Sequence, residues 1–360
     1  MKRYFIITVA ALVSLCACTK NEVSVEAQKE ISFSVASYVG QTKANPTDYA
    51  EQYANVPFGT YAWFYQNGQD AQEFMVDETV SLNRGQSTEK TDAQPVWSPS
   101  VTYYWPKSGT IDFISYSPKS ISSFVKIDPS NFDFVDYTVA DGTDVDVMYA
   151  DKAAGCTMNK TTYFYNGVPT LFHHALAKLN INIKTAYDEK VLKEGEDETK
   201  WAITVTDLSL NDFFNKGSAN LDLATDGSWT LPSGNVWTPS GSRVDKDFDL
   251  PTDATINKDG KDFVNDYFVL PQDLAAGQTI KIVVDIVTTL PNGKTITETG
   301  VVVEAKLGES SIDAWEMNKQ ISYDLIIVPA KAGDDGEPVA ILFDPAVADW
   351  EDATASGITI

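Results

Sequence analysis

The chain has 360 residues, 43% of them hydrophobic and 11% aromatic, and its formal net charge is −24. This hydrophobic content is enough to build folded cores and excludes a disordered chain, while the acidity argues against a nucleic-acid binder. The length predicts two domains, and the 16 Tyr and 17 Phe residues favour strands. We attribute the negative charge to solubility outside the cell.

The amino terminus has the pattern of an export signal. A basic pair at residues 2–3 precedes an apolar run at residues 4–15, which is shorter than the roughly 20 residues that a membrane-spanning helix needs. A small residue directly before Cys18, with Leu15 two places earlier, resembles the lipobox of bacterial lipoproteins. That resemblance implies cleavage after residue 17 and a diacylglycerol on the Cys18 thiol. The alternative is an ordinary signal peptide with a cysteine nearby.

The three cysteines predict no internal disulfide. Cys16 leaves with the signal and Cys18 carries the lipid, so Cys156 is left without a partner. A lone cysteine of this kind usually behaves as a small buried hydrophobe. A catalytic thiol would need a histidine, and nothing in the sequence places His173 or His174 near Cys156.

Residues 18–29 are polar and predict a tether, which the first strand follows. Apolar side chains and serines alternate over residues 31–35, so we expect a half-buried strand with Ile31, Phe33 and Val35 facing the core. A polar loop comes next and contains Lys43-Ala44. Basic residues in polar loops are favoured sites of proteolysis.

Short strands separated by turn residues continue through the chain, and no long amphipathic helical pattern interrupts them. Pro291-Asn292-Gly293 is a strong hairpin signal between two of them. This pattern predicts an all-β protein built of sandwiches. The other strands are predicted at residues 57–65, 101–118, 144–150, 179–184, 201–210, 263–270, 279–289, 295–305 and 321–328.

Several motifs, taken in order, resemble the fimbrillin-like (Mfa-like) family of Bacteroidales lipoproteins. They are Tyr104-Trp105-Pro106, Ile111-Asp112-Phe113, Val147-Met148-Tyr149-Ala150, Phe172-His173-His174-Ala175-Leu176 and the closing Phe343-Asp344-Pro345. The resemblance implies two tandem transthyretin-like β-sandwich domains after a lipoprotein signal peptide. The expected division is a signal at 1–17, a lipidated tether at 18–29, an N-terminal sandwich at 30–166 and a C-terminal sandwich at 167–360.

The paired histidines allow two interpretations. Together they offer two metal ligands, but adjacent residues of a strand point to opposite faces of the sheet. His173 and His174 therefore cannot both bind one ion without help, and we interpret them as structural.

Catalytic and cofactor motifs are missing from the sequence. The acidic stretch at residues 141–146 lacks EF-hand spacing, and turn chemistry explains it, as it explains residues 257–260. We expect no catalytic residue, no metal and no cofactor, and hence no enzyme; a lipoprotein hydrolase is the least favoured hypothesis.

The family resemblance implies a function as a structural subunit of a surface fimbria or pilus, as stalk, tip or anchor, serving cell adhesion. A protease would cut after Lys43, leaving Ala44 as the new N-terminus, and the strand with Ile31, Phe33 and Val35 would be removed. A donor strand from the next subunit would then fill the groove, with Ile358 and Ile360 marking the candidate donor.

The implied partners are other fimbrial subunits and the outer membrane, through the lipid, with a host or bacterial surface ligand as a further expectation. The implied location is the fimbrium and the outer surface of the outer membrane. The alternative is a lipid-anchored surface protein that binds a glycan or host ligand and never polymerises.

Overall fold

The computed structural model describes residues 29–37, 53, 55–66, 69–83, 96–140, 145–159, 167–192, 194–195, 197–223, 236–329 and 340–349. Within these ranges the chain forms strands, turns and two short 3-10 helices, Lys119–Phe124 and Leu307–Glu309, with no α-helix. The prediction of an all-β protein is confirmed. Over the same residues, no helix is long and apolar enough to cross a membrane.

The strands in chain order are β1 (Phe33–Ser37), β2 (Phe58–Tyr65), β3 (Gln72–Asn83), β4 (Val96–Pro99), β5 (Thr110–Ser117), β6 (Val125–Ile127), β7 (Phe132–Thr138), β8 (Met148–Ala150), β9 (Ala153–Cys156), β10 (Val168–His174), β11 (Ala177–Thr185), β12 (Glu189–Lys190), β13 (Thr199–Phe213), β14 (Lys216–Leu221), β15 (Trp237–Pro239), β16 (Val244–Asp247), β17 (Thr255–Ile256), β18 (Lys261–Val269), β19 (Gln272–Asp273), β20 (Thr279–Thr289), β21 (Thr295–Lys306), β22 (Ala314–Trp315), β23 (Lys319–Val328) and β24 (Ala340–Asp349).

The first sheet closes on itself. Its strand order is β2-β3-β4-β1-β10-β8-β5-β9, and β2 also pairs with β5. The seven strands from β2 round to β5 therefore form a ring, with β9 attached to β5. We call this ring the first barrel; its interior is rich in Phe and Trp side chains.

The carboxyl-terminal region is a sandwich of two sheets. One has the order β18-β11-β23-β24 and the other β12-β13-β20-β21, with β16 and β17 also paired to β13. The predicted hairpin is confirmed, since β20 and β21 pair antiparallel around Pro291-Asn292-Gly293. The core between the sheets is mainly Ile, Val and Leu, as expected for strands with regular inward alternation.

A third core lies between these two regions and draws on both halves of the chain. A four-stranded sheet, in the order β15-β14-β7-β6, joins β6 and β7 from the first half to β14 and β15 from the second. Aromatic side chains on these strands pack against the outer surface of the first barrel. The buried members include Trp63, Tyr116, Phe132, Phe134, Tyr137, Tyr149 and Trp237.

Strand pairing crosses the predicted domain boundary between residues 166 and 167. Strand β10 follows that boundary yet pairs with β1 and β8 in the first barrel. Two residues, Ala175 and Leu176, then lead directly into β11 of the carboxyl-terminal sandwich. The division of the chain into two tandem domains stays a prediction.

Four bulges in the described strands share the same arrangement, which was not predicted from the sequence. Each contains an aspartate with a left-handed backbone, a conformation that Asp tolerates better than most residues. Each carboxylate also pairs with a Lys or Arg. The residues, with their φ angles and partners, are Asp77 (49°) with Lys119, Asp136 (52°) with Lys216, Asp212 (61°) with Arg243, and Asp266 (56°) with Lys178.

Candidate functional site around the first strand

Strand β1 occupies an interior position in the first barrel, between β4 and β10. It runs parallel to β10 along its whole length, Phe33–Ser37 against residues 168–172. On its other side it pairs antiparallel with β4 at Phe33 and Trp97. The strand begins two residues later than predicted, and Ile31 lies in the extended segment before it. Without β1, the ring would have two open edges, at β4 and β10.

Backbone hydrogen bonds hold the segment that leads into β1. The Ile31 amide donates to the Tyr103 carbonyl at 2.8 Å, and the Trp105 amide donates to the Lys29 carbonyl at 3.0 Å. On the opposite side the Val168 amide donates to the Ser32 carbonyl at 2.8 Å. The segment 29–37 is therefore part of the barrel's hydrogen-bonded framework along both of its sides.

The side chains of this segment alternate between core and surface. Ile31, Phe33 and Val35 are each 2% exposed, whereas Ser32 and Ser34 are half-buried. Burying each apolar side chain contributes about 1.5–3 kcal/mol relative to leaving it exposed. The three predicted core-facing residues thus lie together in the barrel interior.

Phe33 lies among aromatic rings from neighbouring strands. Its ring centroid is 5.6 Å from that of Phe58 and 5.7 Å from that of Phe113, and both contacts are edge-to-face. Phe58 in turn packs on Trp97 and Phe172. Edge-to-face pairs stabilise beyond their buried area, so Phe33 joins three strands of the ring.

Gly167 lets the backbone of β1 approach β10 closely. A Cβ at this position would lie 2.8 Å from the Ser32 carbonyl oxygen. The glycine also has φ +147°, a conformation that other residues rarely adopt. The turn before β10 therefore requires glycine.

The paired histidines lie at the end of β10, and each ring contacts a different carboxylate. Nε2 of His173 lies 2.8 Å from a carboxylate oxygen of Asp151, and Nδ1 of His174 lies 2.8 Å from one of Asp146. The Tyr53 hydroxyl also donates to Asp146, at 2.5 Å. These contacts agree with the interpretation of both histidines as structural, which stays a prediction.

The connection from β10 to β11 is fixed by groups from distant parts of the chain. The Ala175 amide donates to the Val147 carbonyl at 2.7 Å, and the Trp237 indole N–H donates to the Ala175 carbonyl at 2.8 Å. The Asn318 amide donates to the Leu176 carbonyl at 3.1 Å. These bonds tie the first barrel to the carboxyl-terminal sandwich.

Cys156 and residues 257–260 were the other candidates for chemistry that lie among the described residues. Cys156 is buried, and burial together with the nearby Asp112 carboxylate raises the pKa of its thiol to about 12, which makes it a poor nucleophile. Residues 257–260 form a turn in which the Asn257 side chain accepts from the Asp259 amide. In the ranges that the structure covers, no three His, Cys, Asp or Glu side chains group closely enough to hold a metal ion.

Several predicted site residues lie outside the described residues. They are the lipidation residue Cys18, the processing pair Lys43 and Ala44, and the donor candidates Ile358 and Ile360. Residues 141–144 of the acidic stretch lie outside as well, while Asp146 is the partner of His174.

Three solved structures are similar to the chain. A candidate cell adhesion protein from Bacteroides uniformis has 17% identity and a TM-score of 0.43, covering 89% of this chain and 98% of that one. The fimbrial anchor protein Mfa2 from Porphyromonas gingivalis has 12% identity and a TM-score of 0.30, covering 89% and 99%. A candidate adhesin from Bacteroides ovatus has 7% identity and a TM-score of 0.32, covering 91% and 96%. No curated protein matches the chain.

A family model described as fimbrillin-like matches residues 42–350. The match covers most of the 360 residues, and it includes the motifs from Tyr104 to Pro345 that suggested this resemblance. The fimbrial character of the family places the protein in a cell-surface appendage. The chain therefore belongs to the fimbrillin-like family and is a fimbrial or adhesin-like subunit.

Proposed function

We propose that the protein is a structural subunit of a surface fimbria, assembled by protease-triggered donor-strand exchange and serving cell adhesion. The observation that carries this proposal is the position of β1. A strand close to the chain's amino terminus supplies three buried apolar side chains, Ile31, Phe33 and Val35, to the middle of a closed ring.

Loss of β1 would create a binding site for another strand. Both neighbours of β1 would become edges with unpaired backbone groups, and edges of this kind pair readily with extended segments. The vacated groove would also present the apolar surface around Phe58 and Trp97 to water. An incoming strand that restores both the hydrogen bonds and the apolar contacts is the natural occupant.

The family match supports a division of the chain next to the proposed cut. It begins at residue 42, after β1 and directly before Lys43-Ala44. In the proposal, cleavage after Lys43 separates residues 29–37 from the body of the subunit. The donor would come from the carboxyl-terminal tail of the next subunit, with Ile358 and Ile360 as its apolar residues.

The lipid on Cys18 would hold the uncut subunit at the outer membrane, exposed on the cell surface. Residues 18–29 would serve as the tether between the acyl chains and β1. In this arrangement, the strand that completes the barrel is also the strand that carries the anchor. The same cut would therefore free the subunit from the membrane and open its groove.

The test uses the full chain with Cys18→Ser, so that no lipid is attached, and a low dose of trypsin. We expect Ala44 as the new N-terminus and ladders of oligomers that resist SDS. The matched control is the same chain with Lys43→Gln, which should stay uncut at this position and monomeric. Cleavage at Ala44 without any oligomer would contradict the proposal and favour the lipid-anchored ligand-binding protein.

A further inference from the structure

Phe33 occupies a site in the barrel interior whose walls are aromatic side chains and whose shape fits a flat aromatic side chain. Among the described residues, Phe58 and Phe113 contact the Phe33 ring at interplanar angles of 81° and 85°. They belong to β2 and β5, which pair with each other in the barrel. An aromatic ring in this position therefore makes two directional contacts that an aliphatic side chain cannot make.

The walls of this site are held by further rings. Phe58 makes an edge-to-face contact with Phe172 at 5.4 Å and packs on Trp97 at 5.5 Å. Phe113 makes an edge-to-face contact with Trp105 at 6.0 Å. All of these side chains are at least 95% buried. Because Phe58 and Phe113 keep these other ring contacts when Phe33 leaves, we expect the walls of the site to stay in place.

The positions on either side of Phe33 are less demanding. Ile31 and Val35 are aliphatic and fill non-directional apolar space, while Ser32 and Ser34 point away from the core and are half-buried. Selectivity along the groove is therefore concentrated at its middle position.

We propose, building on the function proposed above, that the vacated groove selects a strand from another polypeptide that carries an aromatic ring at its middle inward-facing position. Its two flanking inward positions take aliphatic residues, and the positions between them take small polar ones. The aromatic side chain sets the register in which the incoming strand pairs, because a shift by two residues would place an aliphatic side chain between Phe58 and Phe113.

The requirement for an aromatic residue makes the tail, residues 351–360, a weaker donor than a strand that carries one. Residues 351–360 contain no aromatic residue, and Ile358 and Ile360 are the two large apolar residues among them. The tail of a second copy would place an isoleucine in this site, which still allows the self-assembly proposed above but gives weaker binding than an aromatic residue would. The preferred partner strand is one with the pattern aliphatic, polar, aromatic, polar, aliphatic.

The test uses the full chain with a specific protease site inserted after Lys43, nicked but with every residue retained. Fluorescent peptides with the sequence of residues 29–37 are offered at equilibrium, in the native form, with Phe33→Leu, and with Ile31→Leu as the matched control. A peptide of residues 351–360 is the fourth probe. We expect the Phe33→Leu and tail peptides to bind about tenfold or more weakly than the native peptide, and the Ile31→Leu peptide to bind within about threefold of it.

The outcomes separate this inference from the proposed function. If the native peptide enters and the Phe33→Leu or tail peptide enters equally well, the aromatic requirement is wrong and strand exchange still stands. If the native peptide does not enter, strand exchange fails and the aromatic requirement fails with it. If the native peptide binds about tenfold more tightly than the Phe33→Leu peptide, and Ile31→Leu has little effect, the result supports both the aromatic requirement and strand exchange.

Discussion

Strands β1 and β11 hold similar positions in the two main regions of the molecule but differ in how firmly they are held. Each runs parallel to a later strand of its own region, β1 to β10 and β11 to β23. The parallel pairing of β11 covers residues 178–185, and β11 also pairs with β18 along its other side. The parallel pairing of β1 covers Phe33–Ser37, and its other side pairs with β4 at one position.

Chain connectivity separates the two strands further. Strand β11 follows β10 after two residues that are themselves hydrogen-bonded to Val147, Trp237 and Asn318. Leaving its sheet would mean pulling that connection apart. In the sequence, β1 has the polar residues 18–29 before it and the polar residues around Lys43 after it. Two strands with similar parallel pairing therefore differ in how their ends are attached, and under the proposed function only β1 would be exchanged.

The largest effect should come from placing a charge in the β1 site. Phe33→Asp buries a carboxylate among aromatic rings, and we expect it to cost about 5 kcal/mol or more, enough to displace the strand. Hydrogen exchange should show protection lost in β10 and kept in β11. The control is Ser34→Asp, on the half-buried outer face, which should have a small effect. Loss of protection in β11 to the same extent would mean that the two regions unfold together.

Two glycines that contact these strands offer the next comparison. A Cβ at Gly167 would meet the Ser32 backbone at 2.8 Å, whereas a Cβ at Gly260 would meet the Asn182 side chain of β11 at 2.6 Å. A side chain can rotate away and a backbone in a sheet cannot. We expect Gly167→Ala to cost about 3 kcal/mol and Gly260→Ala about 1 kcal/mol in urea unfolding. Equal costs would show that β1 shifts as easily as a side chain.

Alkali should destabilise the third core more than the carboxyl-terminal core, because more of its buried tyrosines have raised pKa values. Burial, with the Asp146 charge, raises the pKa of Tyr137 to about 12, and burial raises the pKa of Tyr116 and Tyr149 well above the usual range. In the carboxyl-terminal core, burial raises the pKa of Tyr323 to about 12. Because the unfolded tyrosines ionise near pH 10, this stability is complete below pH 10 and is lost as the pH rises toward 12.

For Tyr137, the loss should reach about 2–3 kcal/mol by pH 12. Unfolding free energies measured from pH 8 to pH 12 should therefore fall less steeply in Tyr137→Phe than in the unmodified chain. Tyr104→Phe, which removes the hydroxyl of an exposed tyrosine, is the matched control. A slope that is the same in all three proteins would exclude Tyr137 as a source of alkaline instability.

The smallest losses of stability should come from Asp→Asn changes at two of the aspartate bulges, and the two losses should differ. Asp136 is largely exposed beside the partly exposed Lys216 in the β7–β14 pair, so Asp136→Asn should cost about 0.5 kcal/mol or less. Asp77 accepts from the buried Tyr116 hydroxyl as well as from Lys119, so Asp77→Asn should cost about 1–2 kcal/mol. Asn tolerates the left-handed backbone at both sites, so thermal unfolding reports the side-chain contacts. A reversed order would contradict the role given to Tyr116.

Local patterns in the sequence predicted much of the strand content. Alternation placed Ile31, Phe33 and Val35 on one side of a strand, and Asn292-Gly293 predicted the β20–β21 hairpin. Both signals depend on residues that are close in the chain.

The partners of each strand could not be predicted, because pairing in these sheets joins residues far apart in the chain. Nothing in the sequence near residue 167 indicates that β10 belongs with β1, or that β7 would pair with β14 to form the third core. The bulges did leave a signal that could have been found. The dipeptides Asn211-Asp212 and Asn265-Asp266, each followed by an aromatic residue, recur in the strands that carry them.

The sheet shared by the two halves has a mechanical consequence. Strands β7 and β14 pair antiparallel across it, with residues 132–138 against 216–221. Tension drawn along a fibre, entering at one end of the subunit and leaving at the other, would load this ladder together with the short connection at Ala175-Leu176. The β7–β14 pairing and the Ala175-Leu176 connection would share the load. The two regions should therefore resist separation under tension better than two domains joined by a single flexible linker.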